Sequence, residues 1–148
     1  MLYEIGDKVL DEWVITRTLG EGSYGKVVEI ERNEFGLSMK SALKIISIPG
    51  NNSELRAVMG EGIDNKSITS YFYGFVEEII KEIAIMSELK GHTNIVTYED
   101  HRVIPHEDHI GWDILIRMEL LTSLLDYSEE HEITEQTVIK LGTDILTA

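Results

Sequence analysis

The sequence predicts an α+β fold, with five strand-like runs, one long helix between the third and the fourth, and helices at the C-terminal end. Three observations carry this expectation. The glycine-rich stretch Leu19-Gly20-Glu21-Gly22-Ser23-Tyr24-Gly25-Lys26-Val27 lies between two β-prone runs. Ala42, Lys44 and Ile46 alternate along a third run and so share one face of a strand. Over residues 71–90, Phe75, Ile79, Met86 and Leu89 fall on one helix face, and Glu82 sits in the middle of that stripe.

In chain order, residues 1–12 read as a polar lead-in. Trp13-Val14-Ile15-Thr16-Arg17-Thr18-Leu19 is β-prone and predicts the first strand. Residues 26–31 predict the second, Asn33-Glu34-Phe35-Gly36 a turn, and residues 39–48 the third, which ends at Pro49-Gly50. The polar stretch 47–70 predicts an insertion, read first as a tolerated surface loop and second as an element that regulates the long helix, with a short helix over 54–59. Thr69 or Ser70 is placed to cap the long helix. Residues 95–104 predict a fourth strand and a run from Trp112 or Asp113 to Glu119 a fifth, with a loop at 105–111. Residues 122–148 are helical, broken near Glu132-Ile133-Thr134, with Thr134 and Thr137 as caps.

The glycines carry chemistry because a residue without a Cβ lets backbone N–H groups close on phosphate oxygens. Their G-x-G-x-x-G spacing suits three kinds of site. A dinucleotide-binding turn opens a helix and has an acidic residue about 20 positions on. Here a β-rich run follows, and Lys44 stands near where the acid belongs. A P-loop requires Ser or Thr after its lysine, and Val27 follows Lys26. The third kind is a glycine-rich hairpin lying over ATP, which needs a lysine on the next strand. Lys44 provides it. A carboxylate in an apolar stripe is costly to bury unpaired, so Glu82 is expected to pair with Lys44.

With these residues the chain resembles the N-terminal lobe of a protein kinase. The serine/threonine class is the expectation on its commonness alone, since the segments that separate it from tyrosine kinases lie outside this sequence. Gly20, Gly22, Gly25 and Val27 match the glycine loop, Ala42-Leu43-Lys44 the A-x-K of the third strand, and Glu82 the helix-C glutamate. Gly91-His92-Thr93-Asn94-Ile95-Val96 is similar to the turn after helix C. Ile116-Arg117-Met118-Glu119-Leu120-Leu121 is similar to the fifth strand running into the hinge, with Met118 as gatekeeper. The resemblance implies one five-stranded antiparallel sheet with helix C packed on it. It makes residues 1–148 a partial kinase domain, with lobe and hinge over 13–121 and the start of a helical lobe over 122–148. It further implies that the amides of Gly20, Glu21, Gly22, Ser23, Tyr24 and Gly25 cover ATP phosphates and that Lys44 pairs with them, held by Glu82. Leu19, Val27 and Ala42 would sandwich the adenine, and the backbone of Glu119 and Leu121 would bond its edge. A protein substrate belongs to the same picture.

Kinase chemistry also needs the aspartates of H-R-D and D-F-G. His101-Arg102-Val103 has valine in place of the first, and Glu34-Phe35-Gly36 precedes the lysine. Ligands for magnesium are therefore expected only in a C-terminal part beyond this sequence, and the chain alone is expected to be inactive. A non-catalytic, pseudokinase-like ATP-binding or interaction module is the alternative.

Composition bounds the rest. The 148 residues suit one domain. With no cysteine there is neither a disulfide framework nor a thiolate metal site. His106 and His109 lack a third clustered ligand, so no metal site is expected. Thirteen basic against 27 acidic residues give a net charge of −14, which disfavours nucleic acid and anionic membranes. A basic peptide suits that charge, as does a merely solvated acidic surface. No signal peptide or membrane span is read, and the expected location is cytoplasmic.

Overall fold

The computed structural model describes residues 3–23, 25–60 and 62–148. Six strands form one antiparallel sheet: β1 (Lys8–Val9), β2 (Trp13–Gly22), β3 (Gly25–Glu34), β4 (Leu37–Ile48), β5 (Tyr98–Pro105) and β6 (Trp112–Met118), in the order β1-β2-β3-β4-β6-β5. Helices α1 (Asn52–Met59) and α2 (Asn65–Glu88) lie between β4 and β5; α3 (Leu124–Glu130) and α4 (Glu135–Leu146) follow the last strand.

The expectation of a kinase-like lobe, with a five-stranded sheet and helix C packed on it, is corrected by this architecture. The sheet is a six-stranded antiparallel half-barrel. The added strand, β1, lies in the stretch read as a polar lead-in, with Lys8 opposite Val14 and Val9 opposite Trp13. Its connection to β2 uses Leu10 (φ 47°) and Asp11 (φ 71°) in the left-handed region. Hairpins normally place glycine or asparagine there, so the turn gave no signal in the sequence.

Strand alternation sorts the core into two clusters on opposite faces of the sheet. Trp13, Ile15, Val28, Ile30, Leu43, Ile45 and Leu115 fill the inside of the curl, joined by Tyr3 and Val9. Ile48, Ile114 and Ile116 face the other way, onto Ile68, Phe72, Val76 and Ile83 of α2. Burying each such side chain contributes roughly 1.5–3 kcal/mol, and this anchors α2 to the sheet.

The fully buried residues of α2 are Ile68, Phe72, Val76 and Ile83, while Ile79 and Met86 of the expected stripe are half-buried against the same cluster. Phe75 is 44% exposed. Adjacent apolar pairs (Phe75-Val76, Ile79-Ile80) allow two overlapping stripes at helical spacing, and only packing chooses between them. The helix also starts earlier than expected. Asp64 is its cap, accepting from Ser67 N at 3.0 Å, while Thr69 and Ser70 lie inside the helix. The helix α1 starts at Asn52, capped by Asn51. In α4, Thr134 and Thr137 form a reciprocal capping box.

Candidate functional site

A cavity of about 770 Å³ opens between the β2–β3 hairpin, β4 and α2. Glu21, Gly22, Ser23 and Gly25 line it from the hairpin, Lys44 from β4 and Glu82 from α2. Three elements distant in sequence thus share one volume. The registers place further expected residues nearby. Gly20 lies opposite Val27, Val27 opposite Lys44, and Lys44 opposite Ile116, with Ala42 opposite Met118. Directly paired residues of antiparallel strands point to the same side. Val27, Ala42, Lys44 and Met118 therefore occupy the sheet face that α2 covers.

The three glycines differ in what they require. Gly25 has φ +115°, and a Cβ there would stand 2.1 Å from the Ile45 carbonyl oxygen. Only glycine fits. A Cβ at Gly20 or Gly22 would meet nothing within 4 Å, so both backbones face open space from which a ligand can approach. Tyr24, between them and β3, lies outside the described residues.

Lys44 is half-buried, and among the described residues its ammonium has no hydrogen-bond or ion-pair partner. Glu82 is exposed and lines the cavity without pairing to it. Its exposure follows from the stripe just described: Ile83 turns into the core and leaves Glu82 on the shoulder of the helix. The second cation of the cavity, Lys26, is committed elsewhere, its Nζ donating to the Tyr3 carbonyl at 2.9 Å. Glu4 and Glu54 add carboxylates to the wall. Sequence reasoning missed Lys26 and Glu54. Lys26 had the adjacency to Gly25 as a signal, but Glu54 reaches the cavity only because α1 folds back.

The chain is similar to a kinase. At 27% identity over 141 aligned residues it matches the serine/threonine-protein kinase AKL1 of Saccharomyces cerevisiae, covering 88% of this chain. It spans only 12% of that protein's length. No family model matches the chain.

Leu19, Gly20, Val27, Ala42, Met118, Glu119 and Leu121 are not part of the cavity wall. Leu19 is 39% exposed and Leu121 60%. Glu119 is tied to the segment before β5: its N–H donates to the Thr97 carbonyl at 3.0 Å, and its Oε1 accepts from Thr97 N at 2.7 Å. Phe35 and Gly36 make the tight turn between β3 and β4, with φ 49° and 81°. His101, Arg102 and Val103 lie on β5. Neither tripeptide therefore stands at the cavity.

A second polar cluster braces the sheet beside the site. Asp113 is 2% exposed and accepts from Tyr3 Oη at 2.8 Å and from Ser47 Oγ at 2.7 Å. His106 Nε2 stands 3.0 Å from Asp113 Oδ1 but off the angle of a hydrogen bond. Burial pushes the Asp113 carboxyl up, yet Ser47, His106 and Tyr3 together hold it below its ordinary value. Among the described residues no helix is long and apolar enough to cross a membrane.

Proposed function

We propose that this chain is the ATP-binding part of a serine/threonine protein kinase, which transfers the γ-phosphoryl group of ATP to protein hydroxyls. The observation that carries the reading is the meeting of the glycine hairpin, Lys44 and Glu82 in one cavity. Its volume lies within the roughly 300–1,000 Å³ common for small-molecule sites. The open backbone at Gly20 and Gly22 suits phosphate oxygens, and the Lys44 ammonium, without a partner among the described residues, offers them a cation. Val27, Ala42 and Met118 supply the apolar sheet face beside it, where the adenine would lie.

ATP would supply the transferable phosphoryl group. The residues of this chain would bind and orient it, which is where phosphoryl-transfer catalysis mostly resides. The reading assigns no magnesium ligand to this chain, since H-R-D and D-F-G have no counterpart in it. Similarity to a yeast serine/threonine-protein kinase supports the same class.

A second reading, non-catalytic ATP binding, is favoured by the exposed Glu82 standing apart from Lys44. Titration calorimetry with MgATP tests what the two readings share. Saturable binding that Lys44→Met weakens at least tenfold is expected. Equal affinity in both proteins, or none in either, would refute nucleotide binding at this cavity.

A further inference from the structure

We infer that Tyr3 is a positioning residue for the candidate site: it ties the inner strand β6 to the root of the glycine hairpin, and so helps to fix where that hairpin stands over the cavity. The functional meaning rests on the nucleotide reading above; the geometry does not. Tyr3 is buried in the cluster that holds Val28, Ile30, Ile45 and Leu115. Its Oη donates to Asp113 Oδ2 at 2.8 Å, and its carbonyl accepts from Lys26 Nζ at 2.9 Å. Asp113 also accepts from Ser47 Oγ, and Tyr3, Lys26 and Ser47 all line the cavity. The segment that follows Tyr3 is pinned to β2. Gly6 N donates to the Ile15 carbonyl at 2.8 Å, and Ile15 N donates to the Asp7 carbonyl at 3.0 Å.

Lys26 is the residue through which such a tie reaches the hairpin. It pairs with Glu21 across the hairpin and with Ile45 of β4, and the next pair outward is Gly22 with Gly25. On β2 the register shifts between Thr18 and Gly20. An irregularity of this kind interrupts the ladder and bends its strand, which loosens the coupling of the tip to the sheet behind it. Nothing stands within 4 Å of a Cβ added at Gly20 or Gly22, so packing at those two positions does not hold the tip. Without the Tyr3 tie the hairpin therefore samples more positions, and a nucleotide must select the productive ones. Its affinity falls in proportion to the fraction that remains productive.

The test uses Tyr3→Phe, which keeps the ring and removes the hydroxyl, Lys26→Met, the two combined, and Lys26→Arg. MgATP affinity and amide exchange are measured on each. Tyr3→Phe and Lys26→Met are each expected to weaken MgATP about fivefold, as when the positioned hairpin falls to about a fifth of the population. The combined variant is expected to lose no more than either alone, because both cut one tie. Lys26→Arg, which keeps a donor, is expected to stay within about twofold of the parent. Exchange is expected to rise at Gly22, Ser23 and Gly25 and to stay unchanged at Leu43 and Leu115, whereas a general loss of stability would raise it at all five.

Parent affinity in Tyr3→Phe with a loss in Lys26→Met would mean that Lys26 acts on the ligand by itself, and it overturns the proposal. Losses that multiply in the combined variant overturn it as well, as does a uniform rise in exchange. Failure of every chain, the parent included, to bind MgATP refutes the nucleotide reading. Exchange then decides the tie alone: a rise confined to the hairpin upholds it, and a uniform or absent rise overturns it.

Discussion

Arg102 on β5 grips Asp11 in the turn between β1 and β2, its two terminal nitrogens 3.2 and 2.8 Å from the two carboxylate oxygens. The residues are 91 positions apart and sit at the two edges of the sheet. The bond joins β1 to β5 across the mouth of the curl. Arg102 holds the Asp11 carboxyl below its ordinary value, by hydrogen bonding and then by charge. A depressed carboxylate contributes stability above its unfolded value of 3.8 and loses it as pH falls through the folded one. Arg102→Ala is expected to speed amide exchange in β1 selectively, and high salt to do the same to the parent chain. Unchanged exchange at Val9 and Trp13 would show that apolar packing alone closes the edge.

Gly25→Ala is expected to destabilise the chain by about 2 kcal/mol or more, because a Cβ cannot share space with the Ile45 carbonyl at a positive φ. Gly20→Ala and Gly22→Ala should stay within about 0.5 kcal/mol of the parent, since nothing lies near their added Cβ. Urea unfolding of the three variants separates the structural glycine from those free to meet a ligand. Equal losses at all three would contradict the assignment.

Asp113→Ala leaves the hydroxyls of Tyr3 and Ser47 without their acceptor inside the sheet. The expected cost is about 1–3 kcal/mol. The Asp113 carboxyl is depressed in the fold, so its contribution holds above pH 3.8 and fades as pH falls below it. Tyr3 is shifted the other way, raised above 10.0 by burial and then by Asp113, so its contribution is full below pH 10.0 and is lost as pH rises. Unfolding curves across pH should show an acid limb that Asp113→Asn flattens and an alkaline limb that Tyr3→Phe flattens.

The 148-residue chain is expected to transfer no phosphate to a generic protein substrate. Its sequence has no counterpart of the H-R-D and D-F-G aspartates, and its nearest tripeptides lie in a hairpin turn and on β5. Rigorously purified chain with radiolabelled ATP checks this. Stoichiometric labelling that Lys44→Met abolishes would overturn it.

Fast amide exchange is expected through residues 135–146. Val138, Ile145 and Leu146 of α4 are 58%, 66% and 86% exposed, and each forgoes roughly 1.5–3 kcal/mol of burial. Beyond α3, a contact that reaches α4's end is Asn94 Nδ2 to Thr147 Oγ1 at 3.3 Å. Slow exchange in demonstrably monomeric chain would show that α4 is supported internally.

Local geometry was legible in the residue types: strand alternation at Ala42, Lys44 and Ile46, the turn at Phe35-Gly36, the break before Thr134, and the glycine hairpin. Each depends on neighbours a few positions apart, whose stereochemistry is written in the residue types. Tertiary structure decided the rest. The strand β1 exists because Leu10 and Asp11 accept a left-handed backbone that their types do not announce, and long-range burial of Val9 and bonding of Asp11 hold it there. The stripe of α2 was chosen by the sheet it meets, and with it the exposure of Glu82. Which carboxylates reach the cavity of Lys44 likewise depends on where α1 docks. Such choices rest on contacts between residues far apart in the chain, and no short window of sequence contains them.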